Sequence, residues 1–279
     1  MINAKFNNGV EVPILGYGVF LVTSDDEGVS AIKTAFDSGY RHIDTAAAYQ
    51  NEESVGKAIK ESGIPRSEIF ITTKLSNNAQ REGNVEKSFM QSLEKLGTDY
   101  IDLYIIHWPV KECFVQSWLE LEKIYKGGKV KAIGVSNFNE HHLEAIKKVG
   151  SIIPALNQIE LHPYLTQKPL ISHCEKEGII VESWSPLGGD WSSGGFKGNL
   201  LENEVLVSIG KKFGKTAAQV ILRWNIQQNI VAIPKSVTPS RIKENIDIFD
   251  FELSNDDMNA IDALNKNLRA GPDPDNFNF

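Results

Sequence analysis

The apolar positions of this chain change period again and again. Short, near-continuous apolar runs alternate with longer stretches in which apolar residues recur every three or four positions. The runs read as strands: Leu15–Phe20, Tyr40–Ile43, Ile69–Leu75, Ile101–His107, Val130–Val135, Ala155–Leu161, Ile179–Trp184 and Ile230–Ile233. The stretches between them read as amphipathic helices. Asp25–Ser38 is one, with Val29, Ile32, Ala35 and Phe36 at helical spacing. Asn51–Ser62, Val85–Leu96, Val115–Tyr125, His141–Val149, Lys168–Glu177, Glu202–Phe213, Thr216–Gln227, Pro239–Ile246 and Asn255–Asn265 follow. Gly127-Gly128 and Gly178 are natural helix stops, because glycine takes the left-handed conformation without a Cβ clash. A strand wet on one face would alternate apolar and polar residues. These do not, which marks parallel strands covered by helices.

Eight strand–helix units without a linker-like break predict an α/β chain, a closed (β/α)8 TIM barrel, with residues 1–279 as one domain. Lys5–Pro13 reads as a β-hairpin capping the barrel bottom, and two additional helices are insertions. Asn8-Gly9 suits a type I′ turn, whose central residues both need positive φ. A doubly wound sheet is the alternative, but no Gly-x-Gly-x-x-Gly follows any strand. The Gly- and Ser-rich stretch Gly188–Asn199 and the tail Ala270–Phe279 have no period and read as irregular.

Composition narrows the function classes. At 41% hydrophobic, 279 residues can bury a large core. The net charge of −7 is spread through mixed acidic and basic residues, so no basic stripe points to nucleic acid and no polybasic run to a membrane surface. The start, Met1-Ile2-Asn3-Ala4-Lys5, lacks the apolar core of a signal peptide, and no run approaches bilayer-spanning length. A cytoplasmic protein is the expectation. Cys113 and Cys174 match no metal or redox spacing and read as reduced, buried thiols; no metal site is expected.

Candidate chemistry collects at the C-terminal ends of the strands, which in such a barrel face one mouth. Asp44 follows the second strand, with the phenol of Tyr49 five residues on. Lys74 lies near the end of the third strand and His107 ends the fourth. Ser136-Asn137 follow the fifth, Gln158 lies on the sixth, Trp184-Ser185 end the seventh and Lys235-Ser236 follow the eighth. Each has a bland alternative. Asp44 could cap the helix near Asn51, Lys74 could snorkel, His107 could be a satisfied core histidine and Gln158 a core amide. Polar groups closing successive buried strands argue instead for a shared ligand.

Three segments resemble one family. Gly39-Tyr40-Arg41-His42-Ile43-Asp44-Thr45-Ala46, with Tyr49, Glu52 and Gly56, is similar to the first signature of the aldo-keto reductases. Lys131-Ala132-Ile133-Gly134-Val135-Ser136-Asn137-Phe138 is similar to their mid-chain signature, and Ile233-Pro234-Lys235-Ser236, with Arg241, Glu244 and Asn245, to their cofactor-phosphate signature. The resemblance covers nearly the whole chain and extends to the bacterial-type members that reduce aldehydes and ketones. It implies a (β/α)8 barrel that binds NADPH without a dinucleotide fold and works as a monomer. It implies reduction of carbonyls, among them small aldehydes, dicarbonyls and keto-sugars, to alcohols by hydride transfer. The catalytic four would be Asp44, Tyr49, Lys74 and His107. Contacts to NADPH or NADP+ would come from Gly18, Val19, Ser136, Asn137, Gln158, Trp184, Ser185, Leu187, Ile233, Lys235, Ser236, Val237, Arg241, Glu244 and Asn245. Trp184 stands where many members stack a tyrosine on the nicotinamide.

These roles have a physical basis. Tyr49 is the proposed acid, and a free phenol, with a pKa near ~10, donates poorly at neutral pH. Lys74 is expected to lower that value by stabilising the phenolate, with Asp44 keeping Lys74 charged. His107 would orient the carbonyl oxygen. Lys235, Ser236 and Arg241 group two cations and a hydroxyl, as a 2′-phosphate requires, so NADP(H) is expected over NAD(H). The substrate mouth should carry Phe20, Tyr49, His107 and Trp108, joined by Asn77 and by Phe277 or Phe279 from the tail. Two rivals remain at this level: an idle relative that keeps NADPH for regulation, and a Schiff-base aldolase using Lys74.

Overall fold

The computed structural model describes residues 2–22, 25–189 and 200–279. A two-stranded antiparallel hairpin, β1 (Asn3–Lys5) and β2 (Glu11–Pro13), precedes eight parallel strands. These are β3 (Tyr17–Gly18), β4 (His42–Asp44), β5 (Phe70–Leu75), β6 (Ile101–Ile106), β7 (Val130–Ser136), β8 (Leu156–Glu160), β9 (Ile180–Trp184) and β10 (Val231–Ala232). Each strand pairs with its neighbour in sequence, as β–α–β units require. The ends of the sheet meet: Gly16 N–H donates to Ala232 O at 2.9 Å and Ala232 N–H to Ile14 O at 3.0 Å. The expected (β/α)8 barrel is therefore closed.

The helices are α1 (Asp25–Asp37), α2 (Glu52–Ser62), α3 (Asn77–Arg81), α4 (Val85–Leu96), α5 (Phe114–Lys126), α6 (Glu140–Lys147), α7 (Lys168–Lys176), α8 (Glu204–Phe213), α9 (Ala217–Gln227), α10 (Pro239–Ile246) and α11 (Asn255–Asp262). The pair α8–α9 between two strands, together with α11, accounts for the two additional helices. The short α3 was not expected. Its sequence, Asn-Asn-Ala-Gln-Arg, has no apolar stripe, and the Ser76 hydroxyl starts it by accepting from Ala79 N–H.

Hairpin and barrel fit through one cluster. Ala4, Phe6 and Val12 pack on Phe70, Leu103, Ile105, Ala132, Leu156 and Val231, so the hairpin plugs the bottom of the barrel. Its turn differs from the expected type I′. Among the turn residues only Gly9 has positive φ, at +88°. Phe6 O accepts from Gly9 N–H and Phe6 N–H donates to Val10 O. That is a type I turn closed by a left-handed glycine, which uses the same Gly for a different loop.

Several signature residues have structural work. Arg41 Nη1 caps the end of α1 through Phe36 O and Tyr40 O. The buried Glu52 accepts from Thr73 Oγ1 at 2.7 Å. Gly56 and Gly134 are close approaches: a Cβ would lie 2.6 Å from Leu96 O and from Leu156 O respectively. Of the thiols, Cys174 is buried as expected, its pKa pushed up to about 11 by burial, but Cys113 is only half-buried because it starts α5 at the barrel rim. Among the described residues, no helix is long and apolar enough to cross a membrane.

Candidate active site

The mouth of the barrel holds a cavity of about 650 Å³. Asp44, Tyr49, His107, Ser136, Asn137, Gln158, Trp184, Ser185, Leu187, Gly18, Ile233 and Lys235 line it, as do Phe20 and Trp108. Strand ends and the loops behind them bring these residues together from all parts of the chain. Lys74 lies beneath, fully buried on β5. It does not snorkel. Its Nζ donates to Asp44 Oδ1 at 2.5 Å and to Thr45 O at 2.8 Å, and stands 4.9 Å from the centre of the Tyr49 ring.

The β4 loop is tied down on both sides. Thr45 Oγ1 donates to Asn51 Oδ1, and Asn51 Nδ2 donates to Val19 O and Val22 O. A 3-10 turn over Ala47–Tyr49 then carries the phenol back over Asp44. Asp44 is thus an ion-pair partner, not a helix cap; Asn51 begins α2. The Tyr49 ring packs edge-on to His107 at 5.5 Å and against Phe20 at 4.9 Å.

Charges follow from burial and these partners. Burial works against a charged Lys74, but the Asp44 carboxylate and Tyr49 outweigh it, so its pKa is raised and the ammonium persists. That removes the Schiff-base reading, which needs a neutral amine. Burial also lifts the Asp44 carboxyl, against the pull of Lys74 and Gln158. His107 falls well below the usual imidazole range, through burial and then the Lys74 charge, and is neutral.

Tyr49 departs from expectation. Its pKa is raised, because burial outweighs the lowering by Lys74, and Asp44 adds to the rise. The phenol is accordingly held protonated, and the ammonium limits the rise without reversing it.

The polar wall is organised by hydrogen bonds. Ser136 Oγ donates to Gln158 O, Asn137 Nδ2 to His107 O, and Trp184 Nε1 to Asn137 Oδ1 at 2.8 Å. A Cβ at Gly271 would meet Trp184 Cη2 at 2.4 Å, so the start of the tail buttresses the indole. Leu21, Asn137 and Ser185, all lining the cavity, hold positive φ (60°, 64° and 47°), a backbone strain typical of ligand-facing loops.

Gly18 needs its missing Cβ, which would sit 2.9 Å from Ile233 O. Lys235 and Arg241 are exposed, and neither makes a hydrogen bond or ion pair among the described residues. Val19, Ser236, Val237, Arg241, Glu244 and Asn245 do not line the cavity. Ser236 O accepts from Tyr17 Oη, and Glu244 Oε1 from Thr216 Oγ1, so both have structural partners.

Three features went unread in the sequence. Glu182, fully buried on β9, accepts from Gln158 Nε2 at 2.5 Å, while the same nitrogen donates to Asp44 Oδ2 at 2.8 Å. Glu160, buried on β8, accepts from Ala270 N–H and Gly271 N–H and so anchors the tail. The irregular tail is pinned further along. Asp275 accepts from Asn139 Nδ2 and faces His141 Nε2 at 3.1 Å and His142 Nε2 at 3.4 Å. His142 Nδ1 accepts from Asn139 N–H, which leaves Nε2 carrying the proton toward Asp275. Phe277 and Phe279 then lie on Trp108, at 5.1 and 5.3 Å, and Phe279 O accepts from Arg81 and Asn77. Phe279 reaches the cavity; Phe277 and Asn77 support it from outside. Of Gly188–Asn199, only Gly188 and Gly189 fall among the described residues.

Residues 15–266 match the model of the aldo/keto reductase family. The chain is 53% identical to the glyoxal reductase of Bacillus subtilis (strain 168) over 275 residues, covering 99% of this chain and 97% of that protein. It is 48% identical to the morphine 6-dehydrogenase of Pseudomonas putida over 277 residues, covering 97% and 93%. The crystal structure of an aldo/keto reductase from Brucella melitensis superposes with a TM-score of 0.88 at 50% identity, covering 95% of this chain and 99% of that one.

Proposed function

This chain belongs to the aldo/keto reductase family, and on that premise we propose that its cavity reduces small aldehydes, ketones and dicarbonyls with NADPH, Tyr49 supplying the proton. The observation that carries the reading is the buried Asp44–Lys74 pair set directly beside the Tyr49 ring.

The residues fit the cofactor. Trp184 offers a flat face held on one edge by Asn137 and on another by Gly271. Both hydrogens of the Gln158 amide are committed to carboxyls, which leaves its carbonyl oxygen to meet a carboxamide N–H at the cavity it lines. Ser136 and Asn137 stand beside it. Lys235 and Arg241, without partners among the described residues, suit a 2′-phosphate and favour NADPH over NADH. Bound NADPH supplies a hydride to the carbonyl carbon.

The chain's own residues manage the oxygen. Tyr49 is held protonated and so carries the proton to be given, but as a weak acid whose transfer depends on stabilising the phenolate it leaves. As negative charge grows on the substrate oxygen, the phenol gives up its proton and the Lys74 ammonium stabilises the phenolate left behind. Asp44 keeps that ammonium charged. His107, neutral and packed on Tyr49, orients the oxygen by a hydrogen bond. Phe20, Leu21, Trp108 and Phe279 make an apolar rim that suits small carbonyls, in line with the glyoxal reductase to which the chain is similar. Residues 1–279 are taken as one catalytic domain acting as a monomer.

The test is NADPH oxidation with a panel of carbonyls, beside Tyr49→Phe. Wild type should reduce small aldehydes and dicarbonyls. Tyr49→Phe should lose about 10²–10⁴-fold in kcat, the range for a general acid, and keep NADPH binding. Undiminished kcat in that variant would remove Tyr49 as the acid.

A further inference from the structure

Glu182 stands where no solvent reaches it, on the strand next to Gln158 and in register with it. Its Oε1 accepts from Gln158 Nε2, and its Oε2 has no hydrogen-bond partner. A buried carboxyl is costly to keep, and nothing in the proton transfer uses this one. Its one side-chain hydrogen-bond partner among the described residues is also the amide that Asp44 holds from the other side. A primary amide has two N–H donors. With one on Asp44 and one on Glu182, its plane is fixed and its carbonyl oxygen can face only the cavity. If Glu182 is removed, one N–H loses its acceptor in a buried place. The amide then gains by flipping or rotating, and the carbonyl orientation is lost.

We propose that Glu182 is a positioning residue for the cofactor: by sharing the Gln158 amide with Asp44, it aims the Gln158 carbonyl at the nicotinamide carboxamide. This rests on the reading of Gln158 as a carboxamide contact. The charged groups around it are few. Asp44 and Lys74 act on Glu182, and Glu182 in turn acts on Tyr49 and Lys74. The carboxyl is pushed up to about 8, by burial and then by Asp44, so at neutral pH it is an uncharged acceptor.

The experiment uses binding in place of turnover. Dissociation constants are measured by tryptophan fluorescence for NADP+ and for its 3-acetylpyridine analogue, whose methyl ketone replaces the carboxamide and cannot donate to Gln158. Wild type should prefer NADP+. Glu182→Met keeps the volume and removes the acceptor; the preference should fall roughly tenfold, the worth of one buried hydrogen bond. Glu182→Gln keeps an acceptor and should retain the preference within about twofold.

Equal weakening of both ligands in Glu182→Met would mean general damage and would overturn the proposal, as would no change. If Glu182→Met and a second removal variant, Glu182→Ala, both fail to fold while Glu182→Gln folds, the carboxyl supports the fold and the proposal falls. A wild type that binds neither ligand would instead remove the cofactor reading itself.

Discussion

Asp44→Asn isolates the ion pair on which the site is built. The two groups meet at 2.5 Å with almost no solvent contact on either side. Asparagine keeps the shape and still offers Lys74 Nζ an acceptor, but it removes the charge that holds the proton there. Burial then loses its strongest opponent, with only the weaker influence of Tyr49 and Glu182 left against it, and Lys74 should become neutral at pH 7. Keeping an amine neutral at pH 7 against an unfolded pKa near ~10.4 costs about 4–5 kcal/mol, at about 1.4 kcal/mol per unit. That agrees with the roughly 3–5 kcal/mol lost when a buried pair is broken from one side. Burial of Asp44 has its own cost, which the variant relieves, so the figure is an upper bound. With 279 residues at about 2.1 cal/mol/K each, unfolding carries roughly 0.6 kcal/mol/K, and Tm should drop by up to about 7–8 °C at pH 7.

The sign of the pH dependence is distinctive. In wild type the folded-state pKa of Lys74 is raised, so its contribution is fully present below the unfolded pKa and fades only above it. In the variant the folded-state pKa is depressed. The unfolded chain then binds more protons, and the variant's stability climbs with pH until Lys74 is neutral in both states. The Tm gap between the two proteins should therefore be clearly wider at pH 7 than at about pH 10, and close fully only above the raised folded-state pKa of wild-type Lys74. Unfolding curves at pH 7, 8.5 and 10, alongside carbonyl reduction at pH 7, make the assay. Reduction should fall about 10²-fold, since the phenolate has lost its cation. A gap that is absent at pH 7, or equal at pH 7 and pH 10, would refute the reasoning.

Three further outcomes are expected. Lys235→Ala and Arg241→Ala should each raise KM for NADPH by roughly 10–100-fold, the worth of a charge-assisted hydrogen bond, and leave KM for NADH unchanged; equal effects on both cofactors would count against a 2′-phosphate site. Gly271→Ala places a Cβ 2.4 Å from Trp184 Cη2 and should displace the indole, weakening NADP+ binding by about 2–10-fold through lost stacking, as fluorescence titration would show. Asp275→Ala releases the tail from Asn139, His141 and His142, and with Phe277 and Phe279 free of Trp108, KM for small carbonyls should rise severalfold while kcat with saturating substrate holds; unchanged KM would mean the tail stays in place without that clasp.

How legible was the fold? Its parallel strands were plain because helices cover them, and that burial leaves apolar runs no surface residue interrupts. Boundaries were less so. Ile230–Ile233 shrank to Val231–Ala232: Ile233 N–H still reaches Ser183 O on β9 at 3.3 Å, but Pro234 has no N–H and cannot continue the ladder. The Asn8-Gly9 turn was misassigned because two hairpin types want glycine at the same place, and only φ at Asn8 separates them. Helix α3 was silent because a five-residue helix starting on a serine needs no apolar period.

The site was legible for a different reason, and its omissions follow one rule. Side chains alternate across a strand, so residues two apart share a face. On β8 the sequence singled out Gln158 and passed over Glu160; on β9 it singled out Trp184 and passed over Glu182. Each pair shares one face. Asn157, of the opposite parity, turns outward and donates to Phe138 O. On β5 the same alternation sends Lys74 inward and Thr73 outward, to Glu52 on α2. A carboxylate inside an otherwise apolar run, in phase with a chosen polar residue, was therefore a readable sign of a buried group behind the cavity. It was discounted because charged residues are assumed to find water, and in a closed barrel the inward face has none. Lys235 and Arg241 were easier to read because they follow the last strand, where the chain has left the sheet, alternation no longer hides a side chain and exposure carries no penalty. The groups proposed to touch a ligand sit where the strand ends and the motif is visible. The group proposed to aim one of them, Glu182, sits one step deeper on the same face.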